Sequence, residues 1–380
     1  MKKILLIVLF LQALQYSYSQ TNGSFVFEGI NRSYIVYVPQ ERLQSAPFPL
    51  MMVLHGFTQT GQAIMNYSDF NTYAELYGFA AVYPNGVGNS WNVGVGGGST
   101  ANDVGFLSAL IDTLNHQFGI DLNRVYACGF SNGGFMSYRL ACELNDRIAA
   151  IGPVAGTMTN AAFDACTPGK AVPVIHIHGT SDFIVSYNGT SSNKSVAAVL
   201  DLWKQNNACN PDPEVLDLPD LVQEGSTVQQ YTWTPCEANT EVVHLKVNGG
   251  GHTWPGAVGN SGIGNTNQDI IASDEIWKFV SRFGLGGPTG LQQTDDQKYK
   301  LQLIPNPATG GKTMLKLYDT QGTVSMYLTN LQGLTLREWK KVSGHETIEL
   351  SLLGLKTGAY FLFVELDGKW FVEKLLVLQQ

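Results

Sequence analysis

Arg124-Val125-Tyr126-Ala127-Cys128-Gly129-Phe130-Ser131-Asn132-Gly133-Gly134 is the stretch on which the reading of this chain turns. Residues 124–130 form an apolar, strand-like run, and residues 132–144 have helical spacing. Between them lies Gly129-x-Ser131-x-Gly133. A strand-to-helix turn this tight leaves no room for bulk two residues either side of the serine, and its strain lifts the hydroxyl above the strand ends. The helix behind it aims its partly positive N-terminus where negative charge would develop in an acyl transfer.

Outward from this point the strand–helix alternation repeats. Residues 24–30 and 33–39 are expected as strands around Asn31-Arg32, followed by strands at 49–54, 79–83, 149–154, 172–178, 228–234 and 242–247. Helices are expected at 68–77, 102–118, 196–206 and 269–283. Apolar strands alternating with helices predict an α/β fold, a mostly parallel sheet covered on both faces. Such a sheet holds its ligands at the carboxyl ends of its strands. The pattern changes at Gly284-Leu285-Gly286-Gly287-Pro288-Thr289-Gly290, a linker composition. Beyond it, short apolar runs at 313–318, 324–328, 347–350, 359–365 and 370–377 are punctuated by glycine. They predict a small all-β sandwich. The expected organisation is a leader over 1–19, an α/β domain over 20–285, a linker over 286–301 and the sandwich over 302–380.

Two further motifs sit where the first would need them. Leu54-His55-Gly56-Phe57-Thr58-Gln59-Thr60-Gly61 follows an early apolar strand. A His-Gly turn there can offer a backbone N–H, here that of Phe57, to an oxyanion hole; the second donor would be the N–H of Asn132. His55 itself reads as a prop for this loop. Then come His178-Gly179-Thr180-Ser181-Asp182 and Gly249-Gly250-Gly251-His252-Thr253-Trp254-Pro255, each after an apolar strand. Ser131, Asp182 and His252 occur in the order nucleophile, acid, base, which is the α/β-hydrolase order. His252 would take the serine's proton, and Asp182 would hold its other nitrogen. Asp182 could also be an ordinary turn residue and His252 a loop histidine. His116, His176, His178, His244 and His345 read as structural, because none follows a run of glycines after a strand.

Charge narrows the substrate. Residues 20–285 carry 11 Lys and Arg against 22 Asp and Glu, a net −11; residues 286–380 carry 10 against 9, a net +1. An acidic surface repels phosphate backbones, so neither nucleic acid nor anionic lipid is an expected partner. Met1-Lys2-Lys3, the apolar run 4–14, and Ser17 and Ser19 before Gln20 have the layout of an export signal, too short to span a bilayer. In an exported chain, five cysteines suggest two disulfides and one free thiol. By proximity the pairs are Cys142–Cys166 and Cys209–Cys236, with Cys128 buried and unpaired, although the sequence permits other pairings. No Cys-x-x-Cys or His-x-x-x-His spacing supports a metal site.

Taken together, the His-Gly-Phe-Thr-Gln-Thr-Gly loop, the Gly-Phe-Ser-Asn-Gly-Gly elbow, His178-Gly-Thr-Ser-Asp182 and Gly-Gly-Gly-His252-Thr-Trp-Pro-Gly resemble the polyhydroxybutyrate depolymerase and feruloyl/acetylxylan esterase group of secreted α/β-hydrolases. The resemblance covers residues 24–285. It implies Ser131 as nucleophile, Asp182 as acid and His252 as base. Trp254 and Trp91 are candidates to wall the substrate site, or else loop anchors. Ile304-Pro305-Asn306-Pro307, Leu331-Gln332-Gly333 and 353–360 resemble the type IX secretion system C-terminal sorting domain. Partnership with that secretion machinery is what this resemblance implies. The rival is a carbohydrate-binding sandwich with a row of exposed aromatics. Trp339, Tyr360, Phe361, Phe363, Trp370 and Phe371 lie mostly within strands and read as core instead.

The expected function is a secreted or cell-surface serine esterase, acting without metal or organic cofactor on a neutral ester, polymeric by resemblance. The alternatives are a non-catalytic binding or adhesion protein on a hydrolase scaffold, and a serine peptidase.

Overall fold

A computed structural model describes residues 20–39, 47–94, 98–258, 262–288 and most of 301–377. The expected leader and most of the expected linker lie outside the described residues. Ten strands form one sheet: β1 (Gln20–Phe27), β2 (Ile30–Tyr37), β3 (Phe48–Leu54), β4 (Ala80–Pro84), β5 (Ile120–Phe130), β6 (Ala150–Val154), β7 (Val174–Gly179), β8 (Glu214–Asp217), β9 (Thr227–Trp233) and β10 (Val242–Asn248). Their order is β1-β2-β4-β3-β5-β6-β7-β10-β9-β8. The six central strands, β4 to β10, are parallel, and antiparallel hairpins flank them on both sides.

Strand periodicity sorts the core into two layers. Phe48, Leu50, Met52 and Leu54 of β3 face one side with Val125 and Ala127 of β5. Met51 and Val53 face the other with Tyr126, Cys128 and Phe130. Helices α3 (Asp103–Phe118), α4 (Asn132–Glu143), α5 (Asn160–Ala165) and α6 (Val196–Asn206) cover the first layer. Helices α1 (Gly61–Ser68), α2 (Phe70–Tyr77) and α7 (Ala272–Val280) cover the second. Burial on both faces explains why these strands read as continuous apolar runs.

The first hairpin turns at Glu28-Gly29 (φ 48° and 78°), not at Asn31-Arg32. Arg32 lies inside β2, buried, with its Nη2 2.6 Å from Asp103 Oδ1. The helix expected over 68–77 begins two residues later, as α2, because Asp69 sits in the left-handed region (φ 53°) and separates it from α1. Asp tolerates that conformation better than most residues.

After residue 300 there are two antiparallel sheets. One contains Leu301–Ile304, Lys312–Leu317 and Thr347–Ser351; the other runs Thr335–Ser343, Thr323–Thr329, Gly358–Leu366, Lys369–Val377. Leu303, Leu315 and Leu350 from the first share one core with Val324, Leu328, Leu362 and Leu375 from the second, which makes a sandwich. Tyr360 and Phe361 are buried, and Phe363 stacks on Tyr327 at 4.5 Å. The side chains of Trp370 and Phe371 lie outside the described residues.

Two disulfides, Cys142–Cys166 and Cys209–Cys236, close sequence separations of 24 and 27 residues. Each loop closure contributes about 3 kcal/mol in the chain-entropy picture. Cys128 is free, and burial pushes its thiol pKa well up. Non-reducing peptide mapping is expected to recover these two crosslinked pairs, with Cys128 alkylated only after unfolding. A bridge to Cys128 would contradict this arrangement.

Candidate active site

Ser131 stands between β5 and α4 with φ 52° and ψ −116°. A non-glycine residue at positive φ is strained, and the surroundings must hold it there. Here the Ser131 N–H donates to Val154 O at 2.9 Å, tying the turn to the end of β6. The glycines on either side are spatially obligatory. A Cβ on Gly133 would lie 2.1 Å from Leu54 O, and one on Gly129 would lie 2.5 Å from Gly133. Gly133→Ala is therefore expected to destabilise the fold by about 3 kcal/mol, a large overpacking cost. A urea melt checks this; an unchanged midpoint would show that the turn can relax.

The close approach of Gly133 to Leu54 brings the β3 loop against the elbow. In that loop Gly56 N donates to Gln59 Oε1 (2.9 Å), Thr58 N to Asn89 O (2.8 Å) and Gln59 N to Gly56 O (3.1 Å). The N–H groups of Phe57 and Asn132 have no acceptor among the described residues. His55 is fully buried: Nδ1 donates to Gly56 O (2.8 Å), and Nε2 accepts from Gly86 N–H (3.0 Å). Burial lowers its pKa, and both nitrogens are occupied, so it props the loop.

Asp182 and His252 follow β7 and β10, which are adjacent parallel strands. Their loops are laced together by Thr180 N to Val247 O and Ser181 N to Gly250 O, both 2.9 Å. A Cβ on Gly179 would meet Gly250 O at 2.3 Å, so glycine lets the loops touch. Asp182 Oδ2 accepts from His252 Nδ1 at 2.7 Å. Its Oδ1 accepts from the N–H groups of Ile184 (2.9 Å) and Val185 (2.8 Å). Burial alone would push the Asp182 carboxyl up, but hydrogen bonds from His178 and His252 outweigh it and hold the carboxyl well below the usual range. The His252 ring packs on Phe130, the residue before Ser131, at 4.8 Å. Its backbone exchanges two hydrogen bonds with Ile263 (2.7 and 2.8 Å).

Trp91 and Trp254, read from the sequence as either substrate wall or loop anchor, are both held inside the fold. They are 0% and 1% exposed. Trp91 Nε1 donates to His55 O (2.9 Å), and its backbone N–H donates to Asn132 Oδ1 (2.7 Å). Trp254 Nε1 donates to Ser273 Oγ (3.1 Å), and its backbone N–H donates to the Tyr67 hydroxyl (2.9 Å). Both are anchored through their donors, and Trp254 also lines a cavity with Met65, Tyr67 and Val258.

Tyr67 carries no signal in the sequence; its ring also packs edge-on against Phe130 at 5.4 Å. Asp103 carries none either, yet it accepts from Asn92 N–H (2.7 Å) as well as from Arg32 and so fixes the Trp91 loop. Neither sits in a recognisable motif; each is 11 or more residues from what it holds. Among the described residues no group of His, Cys, Asp and Glu is arranged to hold a metal ion, and no helix is long and apolar enough to cross a membrane.

Residues 32–199 match the esterase PHB depolymerase family, and residues 302–378 match the secretion system C-terminal sorting domain. A bifunctional acetylxylan esterase/xylanase of Neocallimastix patriciarum is 29% identical over 287 residues, 75% of this chain and 38% of that protein. Feruloyl esterase B of Piromyces equi is 30% identical over 210 residues, 52% of this chain and 34% of that one. Feruloyl esterase D of Neurospora crassa is 29% identical over 282 residues, 69% of this chain and 87% of that one. The chain thus spans little more than a third of the first two. An acetyl xylan esterase structure from Aspergillus awamori aligns at TM-score 0.47 and 17% identity, covering 61% of this chain and 94% of its own. Over its α/β region the chain is thus similar to the esterase PHB depolymerase family and to feruloyl and acetylxylan esterases, and its residues 302–378 match the secretion system C-terminal sorting domain.

Proposed function

We propose that this chain is an exported serine esterase that cleaves polymer-borne carboxylic esters through an acyl-enzyme on Ser131. The reading rests above all on the 2.7 Å hydrogen bond from His252 Nδ1 to Asp182, on loops that pack beside a strained serine turn. That bond fixes the imidazole with its hydrogen on Nδ1 and leaves Nε2 to act as base. Ser131 Oγ attacks the ester carbonyl while Nε2 takes its proton. The carbonyl oxygen becomes an oxyanion, held by the N–H groups of Phe57 and Asn132; one such donor is worth roughly 3 kcal/mol of barrier. His252 then protonates the departing alkoxide. Water, deprotonated by the same nitrogen, releases the acid and restores Ser131.

Exposed apolar side chains on the same loops favour an acyl group larger than acetyl. Phe57 is 53% exposed, Phe183 beside Asp182 is 70%, and Ile263 opposite His252 is 48%. Turnover of methyl ferulate, acetylated xylan and polyhydroxybutyrate, side by side, tests this. A preference for acetylated xylan would overturn the larger acyl group, and binding without turnover of any ester would leave only a binding scaffold.

Export is proposed from the Lys2-Lys3 leader and the sorting domain, followed by display or release outside the cell. No residue with an assigned catalytic role lies beyond 285, so a chain ending near Gly290 is expected to hydrolyse esters as well as the full mature chain does. In its native host, the same truncation should stay behind in the periplasm. Activity lost on truncation would make the sandwich a working part of the enzyme.

A further inference from the structure

Behind the acid loop lies a buried group of three histidines and two tyrosines that the esterase mechanism does not use. His178 Nε2 faces two acceptors, Val185 O at 2.8 Å and Asp182 Oδ2 at 3.3 Å. It must therefore carry a hydrogen, shared between them. In a neutral imidazole the other nitrogen, Nδ1, is then an acceptor. It lies 3.2 Å from His176 Nε2, and His176 Nδ1 lies 2.8 Å from the Tyr138 hydroxyl on α4. Burial lowers the His176 pKa well below its ordinary value, which keeps that ring neutral. The chain of donors then has one consistent direction: Tyr138 O–H to His176, His176 Nε2–H to His178, His178 Nε2–H to Asp182.

Other titratable groups close this site. His244 on β10 donates from Nδ1 to His176 O (3.0 Å) and pairs through Nε2 with the Tyr187 hydroxyl (2.9 Å). Its pKa is pushed down to about 3, chiefly by burial. Tyr187 also packs edge-on against His178 at 5.9 Å, and Lys246 is the β10 register partner of His178.

We propose that His178 is a positioning residue for the reaction: its Nε2–H holds the Asp182 oxygen that orients His252, and Tyr138 and His176 lock the imidazole in the tautomer that does so. This rests on Asp182 being the catalytic acid. Donation to the carboxylate draws off charge that would otherwise stabilise the His252 imidazolium. Without it the carboxylate keeps more of its charge against the imidazolium, and the acid limb of kcat/KM moves up.

The test is a pair of similar amides. The amide nitrogen of His178→Gln reaches the Nε2 position and keeps the donor to Asp182. That of His178→Asn reaches only the Nδ1 position and loses it. On p-nitrophenyl butyrate, His178→Gln is expected to keep the native acid limb. His178→Asn should raise the limb by about half a pH unit and lower kcat about tenfold, with KM unchanged. Acid limbs that coincide in the two variants overturn the proposal. A purely structural role would lower the melting temperature of both and move neither limb. If either variant fails to fold, imidazole ¹⁵N NMR of the native full chain decides. A neutral His178 bearing Nε2–H across the active pH range is required; the Nδ1–H tautomer or an imidazolium overturns it. Ser131→Ala separates the two levels: activity retained there removes the Ser131 mechanism on which this proposal rests, whereas activity lost there with an unmoved limb in His178→Asn removes only the role of His178.

Discussion

Ser131→Ala is expected to lower ester turnover at least about 10⁴-fold while the protein stays folded. The effect is large because no neighbouring group can replace the attacking oxygen. Among the described residues the elbow offers no second hydroxyl: positions 129, 133 and 134 are glycine, and Ser137 is buried with its hydroxyl on Gly133 O at 2.9 Å. The fold should tolerate the change. Alanine meets the same positive-φ strain as serine, and the Ser131 side chain does not cap α4. What remains would be the contribution of the oxyanion donors and of binding. Steady-state assay of a p-nitrophenyl ester, paired with a thermal melt, measures both. Substantial turnover in a pure, folded variant would remove Ser131 from the mechanism.

Asp182→Asn is expected to cost about 10⁴-fold in kcat near neutral pH, through the wrong imidazole tautomer rather than lost structure. An amide can present its N–H to Nδ1, which moves the imidazole hydrogen to Nε2 and blocks the base. The same substitution changes the acid stability of the fold. The folded pKa of Asp182 lies below its unfolded value, so its ionised form favours the folded state at neutral pH. That contribution is fully present above the unfolded value of about 3.9 and is lost as pH falls through the lower folded value. Acid unfolding of the variant should therefore be less steep than that of the native protein in this window. A variant at Asp201 or Asp217 that loses activity instead would show that the acid is elsewhere.

Much of the architecture was legible because it depends on short-range periodicity. The strands at 49–54, 79–83, 149–154 and 242–247 and the helix 196–206 needed only apolar runs and capping. The strand Thr335–Ser343 escaped notice because Arg337, Glu338, Lys340 and Lys341 make it polar. It is an edge strand of its sheet, where charge is what prevents further pairing. Helix α1 was hidden behind the glycines of the His-Gly loop, although Thr60 caps it by accepting from Ala63 N–H at 3.2 Å.

The order of Ser131, Asp182 and His252, the elbow glycines and the neighbouring cysteine pairs can be read from the chain alone. Each of these is a local pattern whose spacing carries its own geometry. Which side chains are walled in emerges only once the sheet and its loops assemble. Trp91 and Trp254 look alike in sequence to residues that line a cleft. Their burial depends on His55, 36 positions away, on Tyr67, 187 positions away, and on Ser273. His178 leans on His176 of its own strand β7, but the Tyr138 hydroxyl that holds His176 comes from α4, 38 positions away. Hydrogen bonds between distant segments form when the sheet assembles, and no periodicity within one segment records them.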